Sequence, residues 1–380
     1  MVSLLKQHFP MIREREEVLE DIKKNPRLKE IFDGWKEEYQ EAFLDICCGM
    51  RGVKLLYDQF FKAILNPDIS PERLEELISL ILKKKVKILK VLPNDSARIA
   101  AETSLLIMDI VVELKDGSIA DVEVQKLGYA FPGQRSACYS ADLLLRQYKR
   151  VKGEHKKNFS YRDIKKVFTI IFYEKSTKEF HEFKDIYLHH SEQTTDTGLK
   201  IDLLQEYDFI ALDIFRKKLH NKGVDRNNRL EAWLTFLCED DPELMLELIE
   251  AYPEFEALYR EVYEMCLDME RMMRIFSKEL EELDKNTVQY MIDEMQDTID
   301  AQKEQLNQKD EQLSQKDKQL SQKDEQLSQK DEQIRQFTRA FIQDNLDEGI
   351  PKERILLKLQ NRFDLTAEKA VAYFAEVAES

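Results

Sequence analysis

Two strand-like runs joined by a turn, within residues 102–150, constrain the fold of this chain more than any other feature. Residues 104–114 (SLLIMDIVVEL) are apolar and rich in β-branched side chains, and residues 115–118 (KDGS) are typical of a hairpin turn. Residues 119–126 (IADVEVQK) alternate in character, and residues 134–150 have helical periodicity. The sequence therefore predicts an antiparallel hairpin followed by a helix.

Polar side chains collect on one face of the second predicted strand. Asp121, Glu123 and Gln125 are two residues apart and share a face, while the valines between them point the other way. The hairpin brings Asp109, which lies among apolar residues of the first strand, close to Glu123. A carboxylate in apolar surroundings is costly unless it is paired, hydrogen-bonded or bound to a cation. Asp109 and Glu123 therefore predict a site for one divalent cation, and we expect Asp121 to be more exposed than Glu123.

These residues resemble a known nuclease motif. Asp109 followed by Glu123-Val124-Gln125 resembles the D…(D/E)xK signature of the PD-(D/E)XK nuclease superfamily. In particular it resembles the branch in which glutamine replaces the lysine, the PD-(D/E)XK family transposases or recombination-promoting nucleases. Further similarities to that family are its R…Y helix (Gln134, Arg135 and Tyr139), its D-x-x-F-K opening helix (residues 58–62) and its W-x-x-F-L segment (residues 233–237).

The resemblance implies a metal-dependent DNA endonuclease. Asp109 and Glu123 would hold Mg²⁺ or Mn²⁺, with the Val124 carbonyl as a third ligand, because Mg²⁺ prefers oxygen ligands. Gln125 would orient the attacking water by hydrogen bonds, although it lacks the charge of lysine. Asp58, on an early helix, is a secondary candidate, and a surface ion pair with Lys62 is the favoured alternative.

Two alternatives remain open at this point. In the first alternative, Asp109 and Glu123 are buried acids that accept hydrogen bonds from backbone N–H groups or from Arg135 and bind no metal. The second alternative follows from the neutral side chain of Gln125. In this alternative, the chain is a weak or inactive nuclease-fold protein that acts in DNA binding or protein assembly. Lys126 is adjacent but is expected on the opposite face of the strand.

Charge is distributed unevenly along the chain. A net charge of −16 argues against a protein that coats nucleic acid. Residues 134–178 nevertheless contain twelve Lys or Arg against four Asp or Glu. This excess predicts a surface that faces DNA phosphates beside the metal site, with a solvated helix as the alternative. The candidate DNA-facing residues are Arg146, Lys149, Arg150 and Lys152.

A seven-residue repeat occupies residues 303–334. Leu306, Leu313, Leu320, Leu327 and Ile334 recur in register, and the position four residues after each leucine is aspartate. A dimeric coiled coil has two apolar positions per heptad, so this segment predicts a solvated helix or a thin coiled coil. Its expected role is to space two modules or to support weak self-association.

The fold class predicted is α/β, with a restriction-endonuclease-like mixed sheet flanked by helices and a helical C-terminal half that carries a heptad-repeat stalk. The five cysteines show no metal-ligand spacing or CxxC pair, and no apolar run reaches the length of a membrane span, so we expect a cytoplasmic protein. The predicted divisions are a helical segment (1–50), the nuclease-like core (51–220), a helical extension (221–298), the heptad stalk (299–335) and a small helical module (336–380).

Overall fold

The computed structural model describes residues 3–92, 110–126 and 132–378 of the chain. It contains two compact units, Met1–Glu294 and Met295–Ser380. The first unit contains a six-stranded mixed sheet with the strand order β1-β2-β3-β4-β6-β5. The strands are β1 (Ile88–Val91), β2 (Ile110–Leu114), β3 (Ile119–Gln125), β4 (Val167–Tyr173), β5 (Leu188–Glu192) and β6 (Gln205–Ala211).

The predicted hairpin is formed by β2 and β3. Gly117 adopts a φ of 85° in the turn, a left-handed conformation that glycine accepts without steric cost. The Ser118 N–H donates to Asp116 Oδ1 at 2.9 Å, and the Leu114 N–H donates to the Ser118 carbonyl at 2.8 Å. Antiparallel pairing then sets Ile110 opposite Val122. The first predicted strand began earlier, at residue 104, and residues 104–109 lie outside the described part of the chain.

Strand β3 is an inner strand because β4 pairs with it on the other side, in parallel. Helix α7 (Pro132–His155) lies between β3 and β4 in the chain and connects these parallel strands. Strand β6 pairs in parallel with β4, and β5 pairs antiparallel with β6.

The later strands differ in two ways from what their sequence pattern predicts. The strand-like pattern of residues 199–212 predicts an added edge of the sheet, but β6 is an inner strand and the edge strand is β5. The pattern of residues 178–190 predicts a strand pair, but the structure has a single strand that starts at Leu188, preceded by a short 3₁₀ turn at Phe180–Glu182. The chain forms β5 at the edge of the sheet before it forms β6. Strand β6 therefore lies between β4 and β5, both of which precede it in the sequence.

Helices of the first unit cover both faces of the sheet. Those before the sheet are α1 (Leu4–His8), α2 (Arg15–Lys24), α3 (Pro26–Asp33), α4 (Glu37–Cys47), α5 (Asp58–Ile64) and α6 (Pro71–Ile81). Those after it are α8 (Leu212–Lys222), α9 (Arg229–Cys238), α10 (Pro242–Ala251), α11 (Phe255–Cys266) and the start of α12 (Met269–Asp347). The large core joins them to one sheet face through residues such as Val122, Ile170 and Ile210. The smaller core lies on the other face and includes Tyr139 and Leu143 of α7.

The second unit has a small core of its own. The end of α12 packs with α13 (Lys352–Phe363) and α14 (Ala367–Ala378) around Ile342, Leu359 and Phe374. Helix α12 continues through residues 299–335, which are exposed throughout. We refer to residues 299–335 as the heptad stalk.

Candidate active site

The polar face of β3 is buried. Asp121, Glu123 and Gln125 expose 0%, 3% and 6% of their surface. Side chains two apart on a strand are separated by about 6.5–7 Å, so the two carboxylates are close neighbours on this face. Asp121 was expected to be more exposed than Glu123, and that expectation is wrong. An inner strand covered by a helix leaves no solvent-facing position at its centre.

Helix α7 covers this face of the sheet. Ser136, Tyr139 and Ser140 on α7 are completely buried. Tyr139 and Leu143 pack with Val167, which lies on the same face of the sheet as Asp121. The carboxylates of β3 therefore lie between the sheet and α7, where a low local dielectric strengthens their interactions with any cation.

Gln125 contacts the carboxylate that precedes it on this face. Its Nε2 donates to Glu123 Oε2 at 3.4 Å. This contact places the amide beside the predicted metal ligand, where a lysine stands in the usual motif. The amide can hydrogen-bond a water or a phosphate oxygen near Glu123, but it adds no positive charge.

Strand β4 contributes two polar side chains that the sequence reasoning missed. Register sets Thr169 beside Asp121 and Tyr173 beside Gln125, and both β4 residues are completely buried. Burial raises the pKa of Tyr173, and the charge of Glu123 raises it further. Tyr173 thus remains a neutral hydroxyl at the site. The signal was present in the run VFTIIFY, because residues 169 and 173 share a face and are its only residues with hydroxyl groups.

The start of α7 brings a cation to the same region. The Arg135 guanidinium lies 5.0 Å from the centre of the buried Tyr139 ring, within the range of a cation–π contact. A hydrogen bond with Ser136 and the charge of Arg135 both oppose the rise in the Tyr173 pKa. Arg135 and Tyr139 therefore lie near the β3 face, whereas Gln134 is exposed to solvent.

Asp58 belongs to a different cluster. Its carboxylate pairs with Lys62 at 2.6 Å and with Lys278 at 3.1 Å. Although burial opposes ionisation, these ammonium groups lower the pKa of Asp58 below its ordinary value. The Asp58 N–H donates to Glu279 Oε1 at 3.1 Å, and Glu279 in turn forms a buried ion pair with Lys126. The favoured alternative for Asp58, an ion pair with Lys62, is present in the structure.

The ion pair with Glu279 also fixes the direction of Lys126. Lys126 follows Gln125 directly, and its ammonium lies 5.3 Å from the Tyr57 ring centre, beside the start of α5. Successive strand residues point to opposite faces. Lys126 therefore does not supply the charge that is missing at position 125.

The four candidate DNA-facing residues lie on α7 and differ in their surroundings. Arg146 pairs with Asp142 at 2.6 Å, and Arg150 pairs with Glu113 of β2. Lys149 and Lys152 are exposed, and the Lys152 ammonium donates to the Tyr148 hydroxyl at 2.8 Å. The charges of the two arginines are therefore partly balanced within the fold, and the two lysines face solvent.

A basic concavity adjoins the end of β3 and was not predicted. The Glu174 N–H donates to the Gln125 carbonyl at 2.9 Å, and Glu174 lines an open cavity of about 510 Å³. Lys54 pairs with Glu174 at 3.6 Å, and Arg216 pairs with Asp240 at 2.9 Å, so part of the positive charge is balanced within the fold. The basic side chains in the lining of the cavity are Lys54, Lys175, Arg216, Lys217 and His220, and the acidic ones are Glu174 and Asp213. These residues are scattered along the sequence, so only the fold brings them together.

Asp109 lies outside the residues that the structure describes. Within residues 3–92, 110–126 and 132–378, no three His, Cys, Asp or Glu side chains come together as a metal-binding group. The oxygen donors present on the β3 face, from Asp121, Glu123 and Gln125, nonetheless fit a hard divalent cation such as Mg²⁺ or Mn²⁺. The Val124 side chain packs against the large core on the opposite face.

A mixed sheet flanked by helices, with buried carboxylates on an inner strand, is consistent with a restriction-endonuclease-like nuclease fold. The family model for PD-(D/E)XK nuclease family transposases matches residues 55–291, which is more than half of the chain. The chain belongs to this family. No curated protein and no solved structure matches it. The match contains the whole sheet and ends before the heptad stalk.

Nucleases of this superfamily typically use divalent metal ions, which agrees with the oxygen donors on β3. None of the helices that the structure describes combines the length and the apolar character needed to cross a membrane.

Proposed function

We propose that this protein is a metal-dependent DNA endonuclease of the transposase-like, recombination-promoting type. The observation that carries the proposal is the contact between Glu123 and Gln125 on the buried face of β3, in a chain that belongs to a nuclease family.

Asp109 is the proposed second ligand. In the hairpin, Ile110 pairs with Val122 and Val111 pairs with Asp121. If this register continues by one residue, position 109 stands opposite Glu123, and directly opposed residues of an antiparallel pair share a face. The proposed cation, Mg²⁺ or Mn²⁺, would be held by Asp109, Glu123 and the Val124 carbonyl.

Each group of this chain has a proposed role in phosphodiester hydrolysis. When bound, a divalent cation polarises the phosphoryl oxygen and promotes ionisation of the attacking water. Gln125 would orient that water through its amide. Arg135 would offset negative charge that develops on the phosphate, because charge-assisted hydrogen bonds are stronger than neutral ones.

DNA is the proposed partner. Cationic side chains lie at both ends of β3. Lys149 and Lys152 lie near its start, because Gln147 of the same helix contacts the Gly117 carbonyl, and the basic concavity lies at its other end. Such side chains bind phosphates with little dependence on base sequence. The overall negative charge of the chain confines binding to these surfaces.

A second candidate function is supported by the glutamine that stands at position 125 in place of the lysine of the family motif. Gln125 is neutral, and Lys126 is committed to Glu279. These two facts favour a weak or inactive nuclease-fold protein that binds DNA or assembles with other chains. Binding and cleavage must therefore be measured separately.

The test is nicking of a supercoiled plasmid with Mg²⁺, Mn²⁺ or EDTA, alongside binding of a labelled duplex. We expect cleavage that needs a divalent cation and that is abolished in Asp109→Ala and in Glu123→Ala, while circular dichroism and duplex binding remain close to wild type. Glu192→Gln, an exposed acid on the edge strand, is the matched control and should cleave normally. Cleavage by both alanine variants at the wild-type rate would refute the assignment, and binding without any cleavage would favour the second candidate.

A further inference from the structure

The heptad stalk leaves an apolar stripe exposed on α12. Leucines seven residues apart return to nearly the same side of a helix. The stripe continues beyond the repeats, and its members expose between 44% and 69% of their surface. They are Met295, Ile299, Leu306, Leu313, Leu320, Leu327, Ile334 and Phe337.

The ends of the stripe indicate which helix positions would face a partner helix, and we call these positions the seam. Met295 lies four residues before Ile299, and Phe337 lies three residues after Ile334. These are the spacings of the two seam positions of a coiled coil. In the four repeats, the position three residues after each leucine is lysine, as in Leu306 and Lys309, and the next residue is aspartate. At each end of the seam, both seam positions are apolar. Between the ends, Gln302 follows Ile299, and leucine then alternates with lysine from Leu306 to Lys330.

We propose that two copies of this chain pair through the heptad stalk as a parallel, in-register, two-stranded coiled coil. In a parallel, in-register pair, leucine faces leucine and lysine faces lysine. Each seam lysine also lies beside an aspartate of the other copy, which offsets the repulsion between the two ammonium groups. An antiparallel pair would set leucine against lysine and aspartate against aspartate. The intact leucine–leucine layers therefore select the parallel direction. The complementary lysine and aspartate positions of identical repeats select a second copy of this chain as the partner.

The lysines also select the number of strands. Only a two-stranded assembly leaves seam side chains close enough to water for four ammonium groups per chain to stay hydrated. The apolar ends of the seam also select the register of the two helices. If one helix shifts by seven residues, Phe337 lies opposite Lys330 of the other copy. The stalk lies beyond the residues that match the family, so the argument for pairing does not rest on the proposed nuclease activity.

The mass of the full chain in solution tests the pairing. Light scattering after gel filtration should give about twice the 45.0 kDa of one chain at high concentration, falling toward one chain on dilution. The double variant Leu313→Asp/Leu320→Asp should be monomeric at every concentration. Ser314→Asp/Ser321→Asp adds the same charge outside the seam and should still dimerise. A monomeric wild type, an assembly of three or more chains, or a dimer unaffected by the leucine substitutions would overturn the proposal.

Cross-linking tests direction and register. Cys138 is exposed, so we use a Cys138→Ser background with Leu306→Cys and oxidised glutathione as the oxidant. A parallel, in-register pair should form a disulfide-linked dimer on a non-reducing gel. A dimer that links Leu306→Cys chains only to Lys330→Cys chains would show an antiparallel pair, and one that links them only to Leu313→Cys chains would show a shifted register. Either result refutes the proposed arrangement.

Discussion

Gln125→Lys tests how the site works without the lysine of the family motif, and we expect the variant to fold. The Gln125 amide lies 3.4 Å from the Glu123 carboxylate, and its side chain is buried. An ammonium about 4 Å from a carboxylate gains about 4 kcal/mol at an effective dielectric constant of about 20. Taking that ammonium out of water costs several kcal/mol, so the two terms nearly cancel. We expect the free energy of unfolding to change by less than about 2 kcal/mol.

The same substitution should speed cleavage. A net hydrogen bond is worth about 1 kcal/mol, and a charge-assisted one is about twice as strong. If the additional 1 kcal/mol or so is gained only in the transition state, the rate rises about fivefold to tenfold. Gln125→Ala removes the amide and should slow cleavage by a similar factor.

The assay compares plasmid nicking by wild type, Gln125→Lys and Gln125→Ala across a range of Mg²⁺ concentrations. Gln193→Lys, at an exposed loop position, adds the same charge away from the site and should leave the rate unchanged. If Gln125→Ala matches wild type, the amide has no catalytic role. If Gln125→Lys is slower at low Mg²⁺ and recovers at high Mg²⁺, the ammonium competes with the cation, and the reasoning about transition-state charge is wrong.

Three further results are expected. Glu279→Ala leaves the Lys126 ammonium buried without its partner and should lower the free energy of unfolding in urea by about 3–5 kcal/mol, whereas Lys126→Met/Glu279→Leu should restore much of it. Burial raises the pKa of Asp208, so the stability associated with its protonated form is lost as pH rises; Asp208→Asn should therefore stabilise the fold at pH 7 more than at pH 4, measured by thermal unfolding. Deletion of one whole heptad, residues 307–313, should leave the plasmid-nicking rate per chain unchanged. A loss of cleavage with an unchanged number of chains per assembly would contradict a spacer role.

Local pattern was sufficient to predict the hairpin and the face that carries Glu123 and Gln125. A two-residue period and a glycine turn act over a few residues, and their consequences are visible in the sequence. The burial of Asp121 was not predictable in this way. It depends on α7 packing across β3, and α7 begins seven residues after β3 ends.

The order of the strands was also beyond local pattern. Residues 205–211 were recognised as strand-like, but their place between β4 and β5 depends on pairing partners that are distant in sequence. The same applies to Tyr173, whose position beside Gln125 follows from parallel pairing of β3 with β4. Parallel neighbours are joined by a long crossover, so short-range spacing carries no information about their register.

The position of Arg135 explains why the predicted gain from Gln125→Lys is bounded. Its charge acts on Tyr173, which lies beside Gln125, so a cation already reaches this face from α7. In the usual motif the lysine supplies that charge from the strand itself. Here the strand provides a neutral donor, and Lys126 is held by Glu279 on the opposite face. A second cation at position 125 would add to a field that Arg135 has partly established, and its effect on developing negative charge is correspondingly smaller than in a site with no other cation.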